Sequence, residues 1–369
     1  MVSIYDVVIV GGGPGGIAAA IKAKEYGLSY VVLEKGSKAF AGIIESYPSG
    51  KKVYPTVPKN CTEPFAIDEL KPPDNKASVE DYISMIEGVI EKHGIYIQYE
   101  TEFDTIKTEK NIHSVITQKN TYRGRNVILA FGSNIPNELN VWGEAKTVAR
   151  NLATVEDYIG VPCLVIGGGN TSADIVSTLS RTKREALDPY PVFWANRGRK
   201  FTVDKDVARD LGEEILLGGN IKILQGAEPK IGEVDEEGVE RLLIHYQKLN
   251  LGDVEMIQGL SFPMKNVIAS IGTHGPEPIF NRLNLQQIRC TGPLCKVGKE
   301  GANLLLLNTS FETSIEGVYA IGGAISPAYM LIDETGVIRE EKHPNLIYMS
   351  INDGAKVIEA VRNKVQQKS

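Results

Sequence analysis

The chain has 369 residues, a formal charge of −6, 42% hydrophobic and 23% charged residues, which is more than one ordinary compact domain uses, so two domains or an interrupted one are expected. The acidic balance gives no basic footprint for nucleic acid or an anionic membrane, and no apolar run reaches the length of a membrane span. Four cysteines make no disulfide framework in so long a chain, and the opening stretch lacks a basic n-region and a cleavage site, so a cytoplasmic protein is expected.

In chain order, Tyr5–Val10 is a valine-rich run stopped by glycines. Ile17–Tyr26 carries alanine and isoleucine at helical spacing as far as Gly27, and Tyr30–Leu33 is a second apolar run ending at Glu34. Strand, tight turn, helix and strand in this order make a βαβ unit. The proline-bearing stretch 40–76 reads as irregular and too long for a tight connection, which marks a functional or mobile loop. Val79–Lys92 reads as an amphipathic helix with Ser78 at its N-cap, and Ile95–Tyr99, Thr105–Thr108, Ser114–Thr117 and Asn126–Leu129 read as strands.

The opening pattern then repeats. Val161–Ile166 is apolar, Gly167–Gly169 turns, Ser172–Leu179 reads as helix and Pro191–Trp194 as strand. Ile221–Gln225, Arg241–Gln247, Asn266–Ile271 and Gly317–Ile321 follow as strands, and a helix over Asn345–Lys364 completes the chain. The simplest architecture is α/β, with one nucleotide-binding domain (155–262) inserted into another (1–150 and 263–369).

Gly11-x-Gly13-x-x-Gly16, with Pro14 and Gly15 between, follows a strand and opens a helix. The first glycine permits the turn, the second lets backbone approach a pyrophosphate, and the third lets helix pack on strand. Glu34 ends the next strand, where a carboxylate accepts hydrogen bonds from a ribose and repels a 2′-phosphate, so FAD or NAD(H) is expected there, with Lys35 beside it. Gly167-x-Gly169-x-x-Ser172, enclosing Asn170 and Thr171, repeats the arrangement, but its second strand ends at Asn196-Arg197-Gly198-Arg199-Lys200. Arg197 and Arg199 suit a 2′-phosphate, which arginine grips bidentately, so the second loop is expected to take NADPH. That asymmetry in turn assigns FAD to the first loop.

On these motifs the chain resembles the thioredoxin-reductase-like flavoproteins over nearly its whole length. The stretches that carry the resemblance are Asp6–Gly16, Val127–Gly132, Gly167–Asp174, Val267–Gly272, Gly317–Gly322 and Asp353-Gly354-Ala355. It implies two Rossmann-like domains of the three-layer ββα type, the NAD(P)H domain inserted into the FAD domain. It also implies Ala130 and Gly132 near the flavin, the last helix pointing its N-terminus at the flavin, and, often, a homodimer. Two features depart from it. The redox Cys-x-x-Cys would fall at Arg150 and Ala153, and the Gly-Asp whose carboxylate holds the flavin ribitol reads Gly322-Gly323, leaving backbone at Gly323 and Ala324. Asn196-Arg197-Gly198, Phe201 and Tyr47-Pro48 look like the bacillithiol-disulfide-reductase-like subgroup, although Gly15 stands where that group tends to carry a cysteine.

The resemblance therefore implies hydride transfer from NADPH to FAD and onward to an external low-molecular-weight disulfide or redox protein. A ferredoxin–NADP reductase-like flavoprotein and a flavin-bound redox sensor are the alternatives. No residue is assigned as a catalytic acid or base. Cys163 reads as a core residue, Cys290 and Cys295 as structural, either two thiols or a loop-closing bridge, and Cys61 as a loop thiol; no histidine stands at metal-ligand spacing with another His or Cys. His274 reads as a surface or loop residue, with a place beside a cofactor as the alternative.

Overall fold

The structure, a computed structural model, describes the chain except residues 1–3, 48–49, 60, 75–76, 133–134, 140–141, 144–147, 153, 199, 251–252, 275, 291–301 and 369. It divides into two compact units, the first comprising Met1–Ile44, Lys52–Ile135 and His274–Ser369, the second Glu45–Lys51 and Pro136–Thr273.

The first unit opens with β1 (Ile4–Val10), α1 (Pro14–Glu25) and β2 (Tyr30–Leu33), followed by α2 (Val79–His93), β3 (Ile97–Gln98), β4 (Phe103–Glu109), β5 (Ile112–Thr117) and β6 (Thr121–Leu129). β3, β2, β1 and β6 lie side by side and parallel, with Val7 opposite Tyr30 and Asn126. Val7, Val8, Ile9 and Val10 are fully buried, as a parallel strand covered on both faces requires. β4 and β5 form an antiparallel hairpin through Lys110 and Asn111, both at positive φ (48° and 60°), the backbone of a tight two-residue turn that keeps the twist of its strands. The stretch 40–76, expected to be irregular, holds a short helix, Ala41–Ser46. α2 begins with a capping box in which the Asp81 amide donates to the Ser78 hydroxyl and the Ser78 amide donates to the Asp81 carboxylate. Ser78→Ala is expected to cost about 1 kcal/mol of stability, read by chemical denaturation.

The second unit repeats the plan with β7 (Cys163–Ile166), α3 (Asn170–Glu185), β8 (Val192–Asn196), α4 (Lys205–Leu216), β9 (Ile221–Val234), β10 (Glu240–Asn250), β11 (Asp253–Pro263) and β12 (Val267–Ala269). β9, β8, β7 and β12 are parallel, and β10 and β11 extend the sheet antiparallel beyond β9. β9 continues past Gln225, where the sequence predicts an end. Gly226 (φ 54°) and Pro229 are absorbed by register shifts between Gln225 and Glu228 and between Pro229 and Ile231, so the strand bends and goes on. β11 and α4 lie outside the sequence expectations. α4 is held to α3 by Glu214, which accepts hydrogen bonds from Ser180 Oγ (3.0 Å) and the Arg184 guanidinium (3.0 and 3.2 Å).

The chain then returns to the first unit with β13 (Gln287–Arg289), β14 (Asn303–Asn308), β15 (Val318–Ala320), β16 (Ala328–Ile332), β17 (Ile338–Lys342) and α5 (Ile347–Lys368). β15 joins the first sheet beside β6, with Ala320 opposite Leu129, itself opposite Val10. Three successive parallel strands therefore end level, and their following residues leave from one edge. In an open α/β sheet, ligands bind at this carboxyl edge. β13, β14, β16 and β17 form a separate four-stranded sheet. α5 crosses α1 closely because Gly354 has no side chain: a Cβ there would lie 2.3 Å from the Gly15 carbonyl oxygen.

Candidate dinucleotide sites

Three glycines do three different jobs in the loop between β1 and α1. Gly11 holds φ at 111°, and a Cβ on it would lie 2.4 Å from the Ala130 carbonyl oxygen. A Cβ on Gly16 would lie 1.9 Å from the Gly11 carbonyl oxygen, so helix and strand can approach only without a side chain. A Cβ on Gly13 would meet nothing within 4 Å. The space in front of Gly13 is open, where the first and third positions are shut. α1 has no side-chain cap and no acidic residue in its first turn, in contrast to the boxed α2. Its positive end is thus left to an anion.

The second loop follows the same rules. Gly167 holds φ at 146° with a Cβ position 2.1 Å from the Ser270 carbonyl oxygen, and Gly169 again faces open space. At the third position Ser172 is fully buried, and its hydroxyl donates to the Gly169 carbonyl at 2.7 Å. α3 also lacks a side-chain cap and an acid in its first turn. The match extends further: the Phe40 amide donates to the Gly12 carbonyl (2.9 Å) as the Thr202 amide does to the Gly168 carbonyl (2.7 Å).

The two loops differ in the residue that closes the second strand. Glu34 is buried, and its two oxygens accept from the Gly12 and Gly36 amides, each at 2.7 Å. Each carboxylate oxygen keeps a second lone pair, so the group can order the loop and still receive ribose hydroxyls. The Tyr99 hydroxyl nearby is pushed up in pKa, first by burial and then by the Glu34 carboxylate. At the corresponding place stands Asn196, whose side-chain amide lies against Gly168 and donates to the Lys200 carbonyl at 2.7 Å. Arg197 follows it exposed; Glu228, whose carboxyl is held low by Lys230 first, also feels the Arg197 charge. Asn170 is engaged with Asp204 in both directions, Nδ2 to Oδ2 at 2.6 Å and the Asp204 amide to Oδ1 at 2.8 Å, which ties the loop to the start of α4. Thr171 is half-buried on the first turn of α3, Lys35 is exposed beside Glu34, and Arg199 lies outside the described residues.

At the carboxyl edge of the first sheet, Ala130 and Gly132 (φ 76°) follow β6, and the turn Gly322–Ile325, which includes Gly323 and Ala324, follows β15. Gly15, between Pro14 and Gly16, faces the start of α5, since a Cβ on it would lie 3.0 Å from the Ser350 carbonyl oxygen. The loop segment 63–66 is bound to the same end of α5. Tyr348 Oη donates to the Glu63 carbonyl (2.8 Å), Asn352 Nδ2 donates to the Pro64 carbonyl (3.1 Å), and the Ala66 amide donates to Asn352 Oδ1 (2.9 Å).

One cluster at this edge has no counterpart in the sequence reading: Ser326, His343 and Asp353, all buried. Asp353 follows from the resemblance only as part of a helix motif, and nothing local singles out His343 or Ser326. The Cys163 thiol is pushed up to about 12 by burial, which keeps it protonated in the core. Cys290 is buried and donates to Glu340 Oε2 at 3.1 Å, while Cys295 lies outside the described residues. Cys61 is partly exposed, beside Tyr348. Arg150, where a redox cysteine would stand, donates to the Asn137 carbonyl at 2.7 Å, and Ala153 is outside the described residues.

The chain is 24% identical over 329 residues to the ferredoxin–NADP reductase of Streptococcus thermophilus, covering 87% of this chain and 85% of that protein. It is 25% identical over 321 residues to the bacilliredoxin reductase Bdr of Bacillus subtilis, covering 85% and 88%. Among solved structures it superposes on the bacillithiol disulfide reductase of Bacillus cereus with a TM-score of 0.70 at 19% identity, covering 98% of this chain and all of that one. The thioredoxin reductase of T. acidophilum gives 0.60 at 17% identity, covering 98% and 99%. These likenesses carry the fold of two Rossmann-like domains. The profile of the pyridine nucleotide-disulphide oxidoreductases matches residues 8–237, more than half of the chain. The chain therefore belongs to the pyridine nucleotide-disulphide oxidoreductase family and is an NAD(P)H-dependent flavoprotein oxidoreductase.

Proposed function

We propose that the loop 11–16 holds FAD, that the loop 167–172 holds NADPH, and that electrons leave for an external acceptor, a low-molecular-weight disulfide or a redox protein. The observation that carries this is the pair of glycine loops with one geometry and two different closing residues, the Glu34 carboxylate in one and Asn196 with the Arg197 cation in the other. Gly11, Gly13, Pro14, Gly15, Gly16, Glu34 and Lys35 belong to the adenosine and pyrophosphate part of the FAD site; Ala130, Gly132, Gly323 and Ala324 supply backbone toward the flavin. Gly167, Gly169, Asn170, Thr171, Ser172, Arg197 and Arg199 belong to the NADPH site. The flavin supplies the electron chemistry, and the chain's own residues bind, orient and exclude water. The reading extends to a cytoplasmic homodimer, on the four cysteines and on the resemblance.

A second reading, passage of single electrons to a ferredoxin, is favoured by the Streptococcus relative and by the lack of any Cys-x-x-Cys pair. Anaerobic addition of NADPH should bleach the visible flavin band, and the reduced protein should then be re-oxidised by one member of a disulfide, ferredoxin and quinone panel. Failure of NADPH to bleach the band sinks the reading. Arg197→Glu should raise the KM for NADPH about tenfold or more, the effect of one charged hydrogen bond replaced by repulsion, and leave NADH little changed. Equal KM values for NADPH before and after the change would refute the 2′-phosphate assignment.

A further inference from the structure

A closed ring of hydrogen bonds starts at the N–H of Gly322 and returns to its carbonyl. The Gly322 amide donates to Asp353 Oδ2 (2.9 Å), which also accepts from His343 Nε2 (2.9 Å); His343 Nδ1 meets Ser326 Oγ (2.9 Å); and Ser326 Oγ lies 3.2 Å from the Gly322 carbonyl oxygen. The three side chains are 4%, 1% and 7% exposed. They come from α5, the residue after β17 and the end of the turn after β15, and the Tyr329 ring of β16 packs on the imidazole, centroids 6.1 Å apart. Gly322 itself is left-handed (φ 63°), and a Cβ on it would lie 2.8 Å from Ser350 Oγ, so a side chain there would be strained and would press on α5.

We propose that Asp353, His343 and Ser326 are the positioning residues of the turn 322–325 at the FAD site, with the Asp353 carboxylate of α5 holding the Gly322 amide. The proposal rests on the FAD reading of the first loop. With a neutral imidazole, the Ser326 hydroxyl donates to Nδ1. With an imidazolium, Nδ1–H donates to Ser326 Oγ and the hydroxyl turns to the Gly322 carbonyl. Either arrangement satisfies every donor in the ring. The same residue types make nucleophilic triads elsewhere, but here the serine is buried and bonded back to the main chain at the turn it ends.

The test compares FAD affinity, visible spectrum and midpoint potential for the wild type, Asp353→Asn, His343→Leu, His343→Gln and Ser326→Ala, with unfolding curves as the control for folding. His343→Leu should weaken FAD binding about tenfold. His343→Gln should restore it, because glutamine can donate to Asp353 and accept from Ser326 as the neutral imidazole does. Asp353→Asn should favour reduced over oxidised FAD by about tenfold, since a negative charge near the flavin is removed. Ser326→Ala, the mildest change, should weaken binding about threefold and serves if the leucine variant fails to fold. A role confined to fold stability weakens both redox states alike and leaves the midpoint potential unmoved; that result overturns the proposal, as does a glutamine variant no better than leucine. A wild-type protein that binds no FAD overturns the proposal together with the FAD reading, whereas variants that match a flavin-bound wild type overturn the proposal alone.

Discussion

Gly13→Ala is expected to leave the unliganded fold within about 0.5 kcal/mol of wild type while weakening FAD binding by at least about tenfold. Gly16→Ala, three residues on, is expected to cost about 3 kcal/mol or more before any ligand is added. The difference lies in what each new methyl meets. At Gly13 it meets nothing within 4 Å, and the backbone (φ −78°, ψ −173°) is ordinary for any residue. Two small effects oppose each other there: alanine is a poorer N-cap than glycine, and it lowers the entropy of the unfolded chain, each by less than about 1 kcal/mol. The methyl does, however, fill the space through which a pyrophosphate would reach the helix N-terminus. At Gly16 the methyl lands 1.9 Å from a main-chain oxygen of Gly11, and neither atom can swing aside. Denaturation of the flavin-free protein and FAD titration separate the two effects. Unchanged FAD affinity in Gly13→Ala would remove the phosphate reading of this loop. Gly169→Ala should behave toward NADPH as Gly13→Ala does toward FAD, because its Cβ position is equally open.

Glu34→Gln is expected to destabilise the flavin-free protein by about 2–3 kcal/mol, the range for a buried amide that loses its charged acceptor. The carboxylate accepts from Gly12 on one oxygen and Gly36 on the other, both at 2.7 Å. A glutamine offers one oxygen and one NH₂, so one of the two amides then faces a donor. The FAD affinity should fall as well, since the ribose hydroxyls lose an anionic partner. The check is a denaturation curve without flavin: equal stability would mean that Glu34 serves the ligand alone. The sequence assigned this residue a ribose. The tertiary structure adds that the carboxylate orders the loop between β1 and α1 through the amides of Gly12 and Gly36.

Much of the geometry of the two glycine loops is legible in the sequence because its constraints are local. A glycine needed for a positive φ, or for a contact between residues five apart such as Gly11 and Gly16, leaves its mark in spacing alone. Strand ends were less legible where a breaker was accommodated, as at Gly226 and Pro229 in β9. α4 is less legible because its buried face is narrow, with Val207 and Leu211 among charged residues, and because the Glu214 tie to α3 joins residues distant in sequence. Some positions lie beyond this comparison: Arg199, Ala153 and Cys295 are outside the described residues.

By itself the sequence determined that there are two glycine-rich βαβ loops, that they differ in the charge closing their second strand, and that it holds no Cys-x-x-Cys pair. Each of these is a matter of residue type at fixed spacing. Only the tertiary structure decided that Val10, Leu129 and Ala320 end level, so that loop, turn and helix meet at one sheet edge. It alone joined Ser326, His343 and Asp353 into one ring around Gly322. Those residues belong to a turn, a strand end and a helix, and no periodicity connects them. Hydrogen bonds across elements leave no trace in spacing, whereas backbone sterics within a loop do.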